Sequence, residues 1–400
     1  MKQRWKLWCL VIASYSSITL VAGHILNQGY PILRFLFGSN DRFRDVLVQL
    51  SGGVRAEIVE FAGLNVIRGV FPGGVILYYH LGQSVGISFN QTLVVYNLIA
   101  LIVLAIGLAM YTRNLFVVMF MLTSYPVMFA FLRGNNEVLT FGFFIIGLAF
   151  LERSRSTVGP VMMWVGQLIE PNWMVTTILG FLDRLAAMRL ALIGLIAFGF
   201  AVLISQSSDP LEIAYDTLRF VLLQGSSDTR FQLTHNVSLA AGVTGWLHIL
   251  NDSLSLEELR PWLDSISVIL TCLAVIVIAI ASRRRFGVQP ETRIVITSCI
   301  LVLVPLYSFP YRAVWLLIPL WKLLDRASRN RMSRAERWQL TLILLAISPK
   351  TWFELGNSSP GMYHYEATLV DPFLILAVLA ISLTSEWRRI RKPSDNSGLD

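Results

Sequence analysis

Apolar residues run along this chain in long blocks separated by short polar clusters, the pattern of helices that cross a bilayer. A spanning helix needs about 20 mostly apolar residues, because each residue advances ~1.5 Å through a hydrocarbon core about 30 Å thick. Leu7–Leu26, Thr92–Tyr111, Leu115–Leu132, Leu190–Ile204, Ile266–Ala281, Ile294–Leu306 and Ala367–Leu383 meet or approach that length. Shorter apolar runs at Val138–Leu151, Val158–Ile169, Met174–Leu182, Ala313–Leu324 and Leu340–Ile347 fill the gaps. The pattern predicts an all-α, polytopic transmembrane helical bundle of roughly ten to thirteen membrane helices, some short or re-entrant. Residues 1–392 read as one domain and 393–400 as a disordered tail.

Composition strengthens this reading. Of 400 residues 55% are hydrophobic and 14% charged, against about 25% charged in an ordinary soluble domain. The mean hydropathy is +0.61. Cys9, Cys272 and Cys299 all sit inside apolar runs and form no metal-ligand or disulfide spacing, so they read as inert thiols. The first apolar run follows Lys2, Arg4 and Lys6, but no small-residue cleavage site closes it, so it reads as a helix and not as a signal peptide.

The net charge of +8 is unevenly spread. Basic clusters occur at Lys2/Arg4/Lys6, Arg153/Arg155, Arg184/Arg189, Arg283/Arg284/Arg285, from Lys322 to Arg337, and at Arg388/Arg389/Arg391/Lys392. The positive-inside rule places these, and with them both termini, in the cytoplasm. The acidic stretch Ser207–Asp264 and the loops Arg133–Glu137 and Pro349–Glu366 fall outside. The scheme alternates when Val158–Leu182 enters and returns, turning at Pro171-Asn172. The first outer loop, Asn27 to about Asn90, carries Arg34, Arg42, Arg44, Arg55 and Arg68 against this trend, and its part Val66–Leu81 is apolar enough to lie on or dip into the bilayer.

Polar groups on the outer side fall into five clusters: Asn40-Asp41-Arg42-Phe43-Arg44-Asp45, Arg133-Gly134-Asn135-Asn136-Glu137, His235-Asn236-Val237-Ser238-Leu239, Ser308-Phe309-Pro310-Tyr311-Arg312, and Lys350 to Tyr365 with Glu354, Asn357, His364 and Tyr365. Ionisable residues beside membrane helices are functional candidates by default. Each cluster taken singly also fits an ordinary helix end.

The order of these features resembles polytopic glycosyltransferases of the GT-C type, most closely family 87, which includes polyprenol-phosphate-mannose-dependent mannosyltransferases. Asp45-Val46 followed by Leu47–Gly53 resembles the family's acidic element early in the first outer loop, and Phe71-Pro72-Gly73 its Tyr-Pro-Pro-like element with one proline lost. Arg133–Glu137 is the closest local match. Gly166–Pro171 is similar to an element that carries lysine where this chain has Glu170. Asn236–Leu239 and Ser308–Trp315 resemble two later elements.

The resemblance implies a sugar, mannose or another hexose, carried on a polyprenyl phosphate and passed to a lipid or glycan acceptor at the outer face of a bacterial inner membrane. Such chemistry needs a carboxylate to take the acceptor's proton and cationic donors around the leaving phosphate. Asp45 is the candidate base and Asp41 the second; four residues apart, they share a face if helical. Arg42, Arg44, Arg133 and Arg312 are candidates for the donor phosphate, since the guanidinium fork matches phosphate oxygens. Asn135, Asn136, Glu137, Asn236, Ser238 and His364 are candidates for sugar and acceptor. No cofactor, metal or nucleic-acid partner is expected, and membrane lipids are. A transporter or flippase shares the gross features, but no internal repeat is visible.

Overall fold

The computed structural model describes residues 9–10, 57–61, 64–68, 85–86, 89–133, 135–154, 158–169, 192, 236–251, 256–282, 287–305, 308, 310–348, 354–356 and 363–391. These residues are largely helical. Among them three helices are long and apolar enough to cross a membrane, with spans at Val94–Thr112, Pro261–Ala281 and Thr368–Arg391. The finer expectation of ten to thirteen spans reaches into the runs Leu7–Leu26, Met174–Leu182 and Leu190–Ile204, which lie almost wholly outside the described residues.

The first span belongs to α1 (Phe89–Thr112). Tyr96, Ala100, Leu104 and Leu108 recur every four residues and are buried, whereas Val95, Leu98, Ile99, Ile102 and Ile106 are exposed. The helix thus presents one face to protein and a broad apolar face outward, as a bilayer requires. The run Leu115–Leu132 is not one span: it is divided into α2 (Leu115–Leu122) and α3 (Tyr125–Arg133). The break has a local cause. Thr123 Oγ1 donates back to Met119 O at 2.9 Å and Ser124 Oγ to Met121 O at 2.6 Å, closing the carbonyl end of α2. Pro126 then falls in the first turn of α3, where its missing N–H costs nothing.

Helix α4 (Glu137–Ser154) packs on α1 and on α5 (Val158–Ile169). The contacts are close enough to require glycine. A Cβ on Gly107 would lie 2.9 Å from Gly142 O, and one on Gly147 would lie 2.6 Å from Gly159 O. Small residues let helix backbones approach in this way where lipid removes the hydrophobic force between helices.

The second half contains α6 (Leu239–Leu250), α7 (Leu256–Ser282), α8 (Pro290–Leu303), a 3-10 helix at Pro310–Leu316, α9 (Leu317–Ser328), α10 (Arg334–Ala346) and α11 (Glu366–Arg391). Helix α11 packs on α6, α8 and α10. Pro372 interrupts its ladder, and Gly242 of α6 admits the proline: a Cβ there would sit 3.0 Å from Pro372 Cγ. Trp246 Nε1 donates to Leu369 O at 2.9 Å in the same turn, where a proline loosens the backbone bonding. Helix α10 starts with a capping box, Ser333 and Glu336 each bonding the other's backbone N–H.

Two short antiparallel ribbons depart from the all-α expectation. Strands β1 (Glu57–Phe61) and β2 (Leu64–Arg68) pair Glu57 with Arg68, and β3 (Glu354–Gly356) and β4 (Tyr363–Tyr365) pair Glu354 with Tyr365. Both lie in loops read as outer, so pairing satisfies backbone groups that would otherwise need water. Val66–Arg68, taken as the start of a membrane-dipping segment, ends a strand instead.

Candidate functional site

Three of the five polar clusters are brought together in one buried node. Its first wall is the turn between α3 and α4. Asn135 Oδ1 accepts from Glu137 N at 2.8 Å, so this asparagine caps the turn that starts α4. Asn136, fully buried, accepts at Oδ1 from the hydroxyl of Tyr96 in α1. One turn on, Thr140 Oγ1 donates to Gly166 O of α5 at 3.4 Å. These bonds tie α1, α4 and α5 at a common level.

Glu137 is 3% exposed. A carboxylate this deep needs donors or an opposite charge, and both come from the 3-10 helix. Trp315 Nε1 donates to Glu137 Oε1, and Arg312 is its electrostatic partner. The indole is held edge-on against Phe141 and Phe144, with ring centroids 5.2 and 5.1 Å away. This geometry suits the ring quadrupoles and packs the indole beside the carboxylate.

The second wall is the approach to α6. Asn236, wholly buried, accepts at Oδ1 from Ser238 N and from Ser308 N, both at 2.9 Å. Val237 N donates to Ser308 O at 2.6 Å, and Ser238 Oγ caps α6 by accepting from Ala241 N at 3.2 Å. Residue 308 is therefore stitched to 236–237 through both backbone groups, while Arg312 and Trp315 reach the Glu137 wall. The segment from Ser308 to Trp315 bridges the two walls.

Not every polar group in the node is satisfied. Ser308 Oγ and Arg312 Nε are buried and have no hydrogen-bond partner among the described residues. A buried donor left unmade costs about 1–3 kcal/mol, more when charged. Each is a donor left open to an oxygen acceptor.

The structure thus gathers Asn135, Asn136, Glu137, Asn236, Ser238 and Arg312. Arg133 ends α3 at the edge of the node. His364 lies in β4, which follows α10 and leads into α11. Asp41, Arg42, Arg44 and Asp45 lie outside the described residues, as do Phe71-Pro72-Gly73 and Glu170. Tyr96 was missed by the sequence reading; one tyrosine in an apolar helix gives no signal of its bond to Asn136. Trp315 entered only as the end of a motif, although it anchors the buried carboxylate. No metal-ligating group of three or more His, Cys, Asp or Glu occurs among the described residues.

No protein-family model, curated protein or solved structure matches this chain.

Proposed function

We propose that this protein is a membrane glycosyltransferase of the GT-C type, moving a hexose from a polyprenyl-phosphate donor to a lipid or glycan acceptor at the outer membrane face. The observation that carries the reading is the convergence of Arg133–Glu137, Asn236–Leu239 and Ser308–Trp315 on one node. These are three of the elements on which the family resemblance rests, and they are far apart in sequence. The unmade donors Ser308 Oγ and Arg312 Nε support a ligand oxygen there.

In this reading the acceptor hydroxyl oxygen attacks the anomeric carbon. The bond from that carbon to the phosphate oxygen breaks, and polyprenyl phosphate leaves with the electron pair. Asp45, with Asp41 second, takes the hydroxyl proton. Arg312, with Arg42, Arg44 and Arg133, draws the charge of the leaving phosphate. Asn135, Asn136, Glu137, Asn236, Ser238 and His364 frame sugar and acceptor. The described cations Lys322, Arg326, Arg329, Arg331, Arg334, Arg337, Arg388, Arg389 and Arg391 sit where α9 ends, α10 begins and α11 ends. The positive-inside rule makes that end cytoplasmic and the node outer, in an inner membrane with both termini inside.

The test is transfer from radiolabelled polyprenyl-phosphate mannose by the purified protein in detergent, with Asp45→Asn beside wild type. The expected result is transfer by wild type and its loss in the variant, with donor still bound. Wild type that transfers no hexose from any polyprenyl-phosphate donor, but moves lipid-linked substrate across proteoliposomes, overturns the reading in favour of a transporter.

A further inference from the structure

At the opposite end of the same helices lies a second polar feature. Helix α8 runs from Pro290 toward the node, and the 3-10 helix and α9 run back from it, so the start of α8 and the end of α9 share the far end. The start of α10 and the end of α11 join them. Gln339 Nε2 donates to Ser382 Oγ at 2.8 Å, and Glu386 accepts from Gln289 N at 3.0 Å and from Thr292 Oγ1 at 3.2 Å. Between these four helix ends is a cavity of about 310 Å³, within the ~300–1,000 Å³ range of small-ligand sites.

Its walls carry both signs of charge. Lys322, Arg326 and Arg389 line it, and so do Glu291, Glu336 and Glu386. Arg326 pairs with Glu336 and Arg389 with Glu386. Lys322 pairs at 2.7 Å with Glu152, which is not part of the lining. That leaves Glu291, exposed on the α8 rim, without an ion pair among the described residues. Ile294, Val295, Pro319 and Leu323 form an apolar part of the same walls.

Two exposed tryptophans adjoin lining residues in sequence: Trp338 precedes Gln339, and Trp387 follows Glu386. Arg391 stacks its guanidinium 4.3 Å from the Trp387 ring centroid. Exposed tryptophan beside arginine at a helix end marks the headgroup level of a bilayer. The cavity therefore opens where lipid phosphates and amines lie.

We propose that this cavity binds the headgroup of a zwitterionic phospholipid with a primary amine, phosphatidylethanolamine. The phosphate meets Lys322 and Arg326, which have N–H donors to spare beyond their glutamate partners. The ammonium meets Glu291, and the glycerol and first acyl carbons lie on Ile294, Val295, Pro319 and Leu323. Balanced wall charge disfavours a lipid of net negative charge. The three N–H donors of a primary ammonium suit carboxylate, amide and hydroxyl acceptors, which a quaternary ammonium cannot engage by hydrogen bonds.

The experiment is native mass spectrometry of the full chain released from nanodiscs of mixed phosphatidylethanolamine, phosphatidylcholine and phosphatidylglycerol, with added inorganic phosphate as a separate arm. Wild type is expected to retain phosphatidylethanolamine preferentially. Ser385→Trp, at an exposed lining position, fills the cavity and abolishes that retention, and Ser385→Ala leaves it unchanged. Glu291→Gln, on an exposed rim, lowers the preference over phosphatidylcholine about tenfold, the effect of ~1.4 kcal/mol, and stands as the test if Ser385→Trp fails to fold. Equal or stronger retention of phosphatidylglycerol or free phosphate overturns the proposal. So does retention indifferent to both Ser385→Trp and Glu291→Gln.

Discussion

The bond from Trp315 to the buried Glu137 makes a quantitative test of the node. Replacing Trp315 with Phe keeps an aromatic ring against Phe141 and Phe144 but removes the N–H donated to Glu137 Oε1. A hydrogen bond to a charged group contributes about 1.5–3 kcal/mol, and trimming an indole to a phenyl ring leaves a small void costing ~1 kcal/mol. The expected loss is about 2.5–4 kcal/mol, measured by reversible unfolding in mixed micelles. Volume alone would also cost something, so the decisive quantity is the coupling with Glu137→Leu, which removes the acceptor, in a double-mutant cycle. If the indole–carboxylate bond is real, the double variant is less damaged than the sum of the singles by at least ~1 kcal/mol, because the second change removes a bond already lost. A coupling below about 0.5 kcal/mol, the usual scatter of additive sites, would refute the claim that Trp315 serves to satisfy Glu137.

Two further predictions bear on the frame. Gly147→Ala places a methyl against Gly159 O and Met163 Cγ, each 2.6 Å from the new Cβ, so α4 and α5 must separate; the expected cost is about 1–3 kcal/mol, read as a lowered unfolding midpoint, whereas an unshifted midpoint would show that the helices are not in backbone contact. Burial of Glu336 pushes its carboxyl upward, but bonds from the Ser333 backbone and from Arg326, with the Ser333 hydroxyl and the Arg326 charge, outweigh this and hold it below its ordinary value of 4.5. A depressed folded value means the stabilisation is fully present above that ordinary value and is lost as pH falls through the folded one. Hydrogen exchange at the start of α10 should therefore accelerate on acidification into that range and become pH-indifferent, beyond intrinsic exchange, in Glu336→Gln.

The long apolar runs were legible because length and composition alone decide whether a helix can cross a bilayer. Thr92–Tyr111 appears as Phe89–Thr112 and Ala367–Leu383 lies within Glu366–Arg391. The division of Leu115–Leu132 was not, since the dip at Thr123-Ser124-Tyr125-Pro126 is too short to interrupt a run of that length; what ends α2 is side-chain bonding back to its last carbonyls. The ribbon Glu57–Arg68 was missed because its strands are five residues each and broken by Glu60 and Asn65, too short to register in a search for spans. Within the node, the sequence offered Asn135–Glu137, Asn236–Ser238 and Ser308–Arg312 as separate clusters. Their meeting depends on the tertiary path, which no local spacing encodes. The cavity between α8, α9, α10 and α11 left even less trace: Gln339, Ser382 and Glu386 look like ordinary helix polarity until the four helix ends are brought together.

The proposed function gives the charges of the node more than a structural role. Replacing a buried ion pair with well-packed apolar groups is often neutral or stabilising, so Glu137 and Arg312 are not what a bundle needs merely to hold together. Their setting is stiff. Ser308 is fixed through both backbone groups to the approach of α6, Trp315 is wedged between two phenyl rings, and Arg312 lies on the short segment between them. Donors held in place by such supports need no reorganisation when an oxyanion arrives, and in a dry site they act more strongly than in water. The unmade bonds at Ser308 Oγ and Arg312 Nε destabilise the fold. A ligand with oxygen acceptors would recover that cost, and under the proposed function a phosphosugar is such a ligand.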